Sequence, residues 1–63
     1  NESLIVIHTT PAAAGMVARI IDQKRIDLDI LGIIAGDDTI FITPKTLSRI
    51  RSIKKQITVL LKL

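Results

Sequence analysis

Apolar residues along this chain fall into runs of differing period, and the polar joints between them mark its elements. Leu4-Ile5-Val6-Ile7 is apolar at every position, the pattern of a strand covered on both faces. Thr9-Thr10-Pro11 then reads as a helix start: Thr10 can cap, and Pro11 at the first helical position gives up no needed N–H. The helix is expected to reach about Gln23. Ala13, Met16, Val17, Ile20 and Ile21 make one stripe, expected to face a sheet. Gly15, Ala18, Arg19 and Asp22 make a second stripe at i, i+3, i+4 and i+7, small enough in its side chains for a partner to approach closely.

A polar connector, Lys24 to Asp29, leads to the clearest signal in the chain. Ile30 to Ala35 and Thr39 to Thr43 are short, β-branched runs separated by Gly36-Asp37-Asp38, which predicts a β-hairpin with two carboxylates at its tip. Thr43-Pro44 repeats the cap-and-proline pattern. It predicts a last helix carrying Leu47, Ile50, Ile53 or Lys54, Ile57 and Leu60 or Leu61 at helical spacing.

The hairpin strands leave no polar face, and two helices can cover only one side of a small sheet. The other side would be an apolar patch of the kind monomeric proteins avoid. Self-association is therefore expected. The predicted class is α+β, a single domain over residues 1–63 with an antiparallel sheet and both helices on one face. The polar lead-in Asn1-Glu2-Ser3 reads as the close of a turn from a preceding element, so the chain is expected to begin partway through a longer protein.

Composition narrows the options. Sixty-three residues bury only about 60% of their unfolded surface, and without cysteine there is no disulfide or thiolate metal site to reinforce so small a core. Oligomerisation is the reinforcement that remains. A lone histidine, His8, supports no zinc site and has no serine or cysteine nucleophile pattern beside it. No apolar run is long enough to span a membrane and no signal-peptide pattern is present, so a cytoplasmic protein with no membrane partner is expected.

Charge is divided along the chain. Residues 1–43 hold three basic residues against six acidic ones, a net −3, whereas residues 44–63 hold Lys45, Arg49, Arg51, Lys54, Lys55 and Lys62 with no acid. A basic amphipathic last helix raises membrane-surface and nucleic-acid readings. Against them, its apolar stripe is needed to cover the sheet, and no groove-reading motif or aromatic platform accompanies it; a solvated basic face is expected.

Adjacent carboxylates repel and lose solvation if covered, so Asp37 and Asp38 either stay in water or meet a cation. They cannot flank a substrate bond as paired catalytic carboxylates do. Asp22, near a helix C-terminus, is unfavourable against the helix dipole and hints weakly at a counter-cation. Nothing here assembles an enzyme site.

Three segments carry a family resemblance: Val6-Ile7-His8-Thr9-Thr10-Pro11-Ala12-Ala13-Ala14, then Ala18-Arg19-Ile20-Ile21-Asp22, then Ile30 to Phe41 with its Ala-Gly-Asp-Asp-Thr turn, followed by Thr43-Pro44. Together they resemble the C-terminal domain of the bacterial arginine repressor, and the acidic turn is the most specific part. The resemblance implies a two-layer ββαββα fold whose first strand would precede Asn1. It implies a domain that forms trimers and pairs them into a hexamer, with L-arginine as co-repressor ligand between trimers and no other cofactor or metal. Operator DNA would be contacted only through a winged helix-turn-helix domain that this sequence lacks.

By the same resemblance, Asp37 would take the ligand guanidinium as a bidentate pair. Asp38 and Asp22 match acidic positions that bind the ligand or its neighbours, and backbone around Ile33 and Ala35 would line the site. Two positions depart from the family pattern. Gly15 stands where an amide side chain helps bind arginine, and Ile33 where threonine is common. Losing a hydrogen bond to a charged ligand costs about 1.5 to 3 kcal/mol, so an assembly domain that no longer answers to an effector is the alternative function. The basic last helix is a third departure, since acidic residues are expected there.

Overall fold

The computed structural model describes residues 4–61; the lead-in Asn1 to Ser3 lies outside them. The elements run β1 (Ile5–His8), α1 (Ala14–Asp22), β2 (Ile30–Ala35), β3 (Thr39–Pro44), a 3-10 turn (Leu47–Arg49) and α2 (Ile50–Leu60). The fold is α+β, with a three-stranded antiparallel sheet in the order β1-β3-β2.

Register sorts the isoleucines onto two faces. Ile5 pairs with Ile42 and Ile42 with Ile33, while Ile7 pairs with Ile40 and Ile40 with Ala35, so these side chains share the inner face. Ile21 of α1 and Ile53 and Ile57 of α2 join Ile5, Ile30, Ile40 and Ile42 in a single buried cluster, so both helices cover the same side. Each fully buried isoleucine contributes about 1.5 to 3 kcal/mol. The aromatic Phe41 is not among them.

The opposite face is open. Val6, Phe41 and Ile34 lie side by side across the three strands, and they are 46%, 45% and 73% exposed. A register shift between Ile30 and Gly32 leaves Leu31 unpaired and exposed on β2. The apolar-everywhere strands thus have one face buried within the protomer and one offered outward.

Three local expectations are corrected. Thr10 does not cap a helix at Pro11: Ala12 takes a left-handed φ of 68°, which interrupts any helix there, and α1 begins at Ala14 with Ala13 as N-cap. Its core face is Ala14, Val17, Ala18 and Ile21, whereas Met16 and Ile20 are exposed. Small alanines let the helix axis lie close to the sheet and turn the bulkier Met16 away. Thr43-Pro44 does not start a helix either. Pro44 ends β3 opposite Ile30, and the next N–H, from Lys45, extends the pairing to the carbonyl of Asp29 at 2.8 Å. Thr46 is still extended, so α2 starts only at Ile50.

The connector is more than polar. Leu28 is buried in the core, its N–H bonded to the Lys24 carbonyl at 2.9 Å. Asp29 adopts a φ of 58° and pairs its carboxylate with Arg49 at 3.2 Å, tying the connector to the 3-10 turn.

Candidate functional site

The β2–β3 turn is held by main chain, which leaves its side chains for other work. Gly36 N–H donates to the Thr39 carbonyl at 2.8 Å and closes the turn. Thr9 N–H donates to the Asp38 carbonyl at 2.7 Å, and Ala14 N–H to the Asp37 carbonyl at 3.3 Å. The tip therefore sits between the end of β1 and the first turn of α1. No side chain caps α1; the Asp37 carbonyl takes one of its orphan N–H groups instead. Both carboxylates are exposed, and Asp38 accepts the Thr39 hydroxyl at 2.9 Å. The positive end of the helix dipole favours negative charge in this place.

Along α1 from the tip runs a shallow groove of about 320 Å³, lined by Gly15, Ala18, Arg19, Asp22, Ile33 and Ala35. Its helical wall is the i, i+3, i+4, i+7 stripe of small residues, and its other wall is β2. Ala18 and Ile33 form the packed floor. Gly15 leaves space, since an added Cβ would meet nothing within 4 Å. Arg19 is the cation of the groove, able to pair with a carboxylate. Asp22 closes the far end and pairs loosely with Arg25 at 3.8 Å, both side chains about half-exposed. An exposed pair of this kind contributes little.

Of the six residues expected in the site, Gly15, Asp22, Ile33 and Ala35 meet in this groove, while Asp37 and Asp38 do not line it. Asp22 and the tip stand at opposite ends of α1, about 12 Å apart along the helix axis at 1.5 Å per residue. A single protomer thus presents two acidic features that cannot grip one small molecule at the same atom. Arg19 was legible as a member of the stripe, but nothing in its spacing marked it as a groove cation.

No metal-holding group of His, Cys, Asp or Glu occurs among the described residues. His8 is exposed at the end of β1, opposite Thr39. No helix among the described residues is long and apolar enough to cross a membrane.

Residues 1–59 match the family described as "Arginine repressor, C-terminal domain". The chain belongs to that family. It is 57% identical over 44 residues to the arginine repressor of Vibrio vulnificus strain YJ016, covering 70% of this chain and 28% of that protein. It is 59% identical over 46 residues to that of Histophilus somni strain 2336, covering 73% and 30%, and 61% identical over 44 residues to that of Glaesserella parasuis serovar 5, covering 70% and 29%. The chain spans less than a third of the length of these curated relatives. As a member of an arginine repressor domain family, it is not an enzyme.

Proposed function

We propose that this arginine repressor C-terminal domain is the effector-sensing and oligomerisation part of a transcriptional regulator of arginine metabolism. In this reading protomers form trimers, trimers pair into a hexamer, and L-arginine lies between trimers. The observation that carries it is the exposed acidic tip, docked by main chain at one end of α1, with an open groove running from it along the helix to Asp22 at the other end. Neither half encloses a ligand alone, and a second copy completes the site.

The chemistry suits a guanidinium. Asp37 offers two carboxylate oxygens to its planar donor fork, and Asp38 and Asp22 supply further negative charge for the ligand's ammonium or a neighbouring ligand. Ile33 and Ala35 contribute backbone and wall, and Gly15 leaves the groove open. Carboxylates gathered from several protomers repel, so a bound cation offsets a cost of assembly. Ligand and assembly are then linked by mass action, by about 2.7 kcal/mol at a ligand concentration one hundred times Kd. Operator recognition belongs in this reading to the winged helix-turn-helix part of the longer relatives, outside the matched span.

A second reading, a structural assembly domain indifferent to any effector, is favoured by one observation, the empty space beside Gly15. Calorimetric titration with L-arginine, with L-citrulline as control and mass followed by sedimentation, separates the two. Citrulline keeps the shape and loses the guanidinium charge. Saturable arginine binding, no citrulline binding and a shift towards six chains support the sensor. A stable hexamer with no heat from either ligand supports the structural reading instead.

A further inference from the structure

The six basic residues after Thr43 face no acid in their own segment, and the fold fixes where several of them stand. On α2, Ile53 and Ile57 are buried and Ile50 packs against the core, and the basic residues begin on the flank of that stripe beside Ile50 and turn outward from it. Arg51, Lys54, Lys55 and Thr58, all exposed, fall within an arc of about 100° at 3.6 residues per turn. Arg49 is held by Asp29 at 3.2 Å. Among the described residues, no carboxylate lies within ion-pair distance of Lys45, Arg51, Lys54 or Lys55. Asp27 shares a groove with Lys55 without pairing to it.

We propose that this outward face of α2 binds the phosphate backbone of duplex DNA without reading its sequence. Charge complementarity is the first argument, because point charges on flexible stems suit a regular phosphate lattice. The alternatives fit less well. A membrane surface requires an exposed apolar stripe, but the stripe of α2 is spent on the core, and Val59 is the one exposed apolar residue left on the helix. A protein partner would find no aromatic anchor on or beside α2, only the single exposed side chains Leu47 beside Arg51 and Val59 beside Lys55. Single strands need aromatic stacking platforms, and Phe41 lies on the outer face of the sheet, away from the helices.

Position keeps the face accessible. The helices lie on the opposite side of the sheet from Val6, Phe41 and Ile34, so association through that apolar face leaves α2 at the surface, and the groove along α1 contains no residue of α2. Several basic arcs then act together, and weak single contacts add through effective concentration. The inference does not use the acidic tip. The two readings fail separately: the arginine titration reads the tip and the groove along α1, whereas the triple variant below changes only residues of α2 that neither of them contains.

The test is fluorescence anisotropy of the chain with two labelled duplexes of unrelated sequence, across a salt series. Both duplexes are expected to bind alike, with log K falling linearly against log salt. R51Q/K54Q/K55Q is expected to lower that slope by about 2.7 for each protomer engaged, at about 0.9 per phosphate contact, and to weaken binding at least tenfold at low salt. K54R/K55R keeps the charge and is expected to bind as the parent does. Circular dichroism checks that α2 is intact in each variant. Binding by the triple variant equal to the parent's would overturn the proposal, as would capture of the chain by phosphatidylserine vesicles with no binding to either duplex.

Discussion

The N–H of Ala14 donates to the carbonyl of Asp37 at 3.3 Å, so the first turn of α1 and the β2–β3 turn hold each other by main chain. The Asp37 carboxylate takes no part in this contact. Asp37→Ala is accordingly expected to change stability by no more than about 0.5 kcal/mol, as for surface substitutions generally. Truncating one partner of a buried charge pair costs about 2 kcal/mol or more, so arginine affinity should fall about thirtyfold or further. Urea unfolding and calorimetry on the same preparation check both halves. Unfolding of the variant at ordinary temperature would show that the carboxylate, and not the carbonyl, secures the tip.

Gly15 faces the groove with nothing within 4 Å of an added Cβ, so the side chain of Gly15→Gln starts in open space. Two gains are expected. Replacing glycine inside a helix stabilises by about 0.5 to 1 kcal/mol. An amide carbonyl accepting from a guanidinium adds about 1.5 to 3 kcal/mol to arginine binding, a factor of roughly ten to a hundred. A rise in unfolding midpoint with unchanged arginine affinity would place the ligand elsewhere.

Ile34, Phe41 and Val6 form a row across the outer sheet face, and Ile34 is 73% exposed within the protomer. Ile34→Lys adds little strain to a single chain but places an unpaired ammonium in any interface that covers this face. Sedimentation is expected to show a shift towards single chains, with assembly weakened at least tenfold and the helical signal in circular dichroism retained. Unchanged mass would mean that association uses another surface.

Legibility of the chain followed the reach of its physics. The hairpin and its acidic turn were readable because β-branched runs around Gly36-Asp37-Asp38 are set by neighbours in sequence. The open apolar face was readable because Leu31, Ile34 and Phe41 leave no polar side for a monomer to show. Both Thr-Pro pairs misled for the same reason: a proline at a helix start and a proline at a strand end satisfy the same local rule. Only the partner strand, through Ile30 opposite Pro44, decides between them. The core stripe of α1 was off by one residue because hydrophobicity alone favours Met16 and Ile20, whereas close approach to β2 selects Ala14 and Ala18. The groove that joins Gly15 and Asp22 to Ile33 and Ala35 depends on how α1 lies across the sheet, which spacing within the helix could only half supply.

Ala12 provides the sharpest test of how the tip and α1 are brought together. Its φ of 68° lies where a Cβ crowds the following carbonyl, at a cost of about 1 to 2 kcal/mol for residues other than glycine. The conformation sits between Thr9 and Ala14, the two residues whose N–H groups hold the acidic tip. Ala12→Gly removes the crowding and gives back about 0.4 to 1 kcal/mol through the freer unfolded chain. A net gain of about 0.5 to 1 kcal/mol is therefore expected in urea unfolding, with arginine affinity unchanged. Asp29, at a φ of 58°, is the internal control. Aspartate tolerates the left-handed region, and Asp29→Gly also loses the ion pair with Arg49 at 3.2 Å, so no gain is expected there. Equal stabilisation at both positions would mean that the ion pair contributes nothing, and destabilisation at Ala12 would mean that the unfolded-state entropy outweighs the strain.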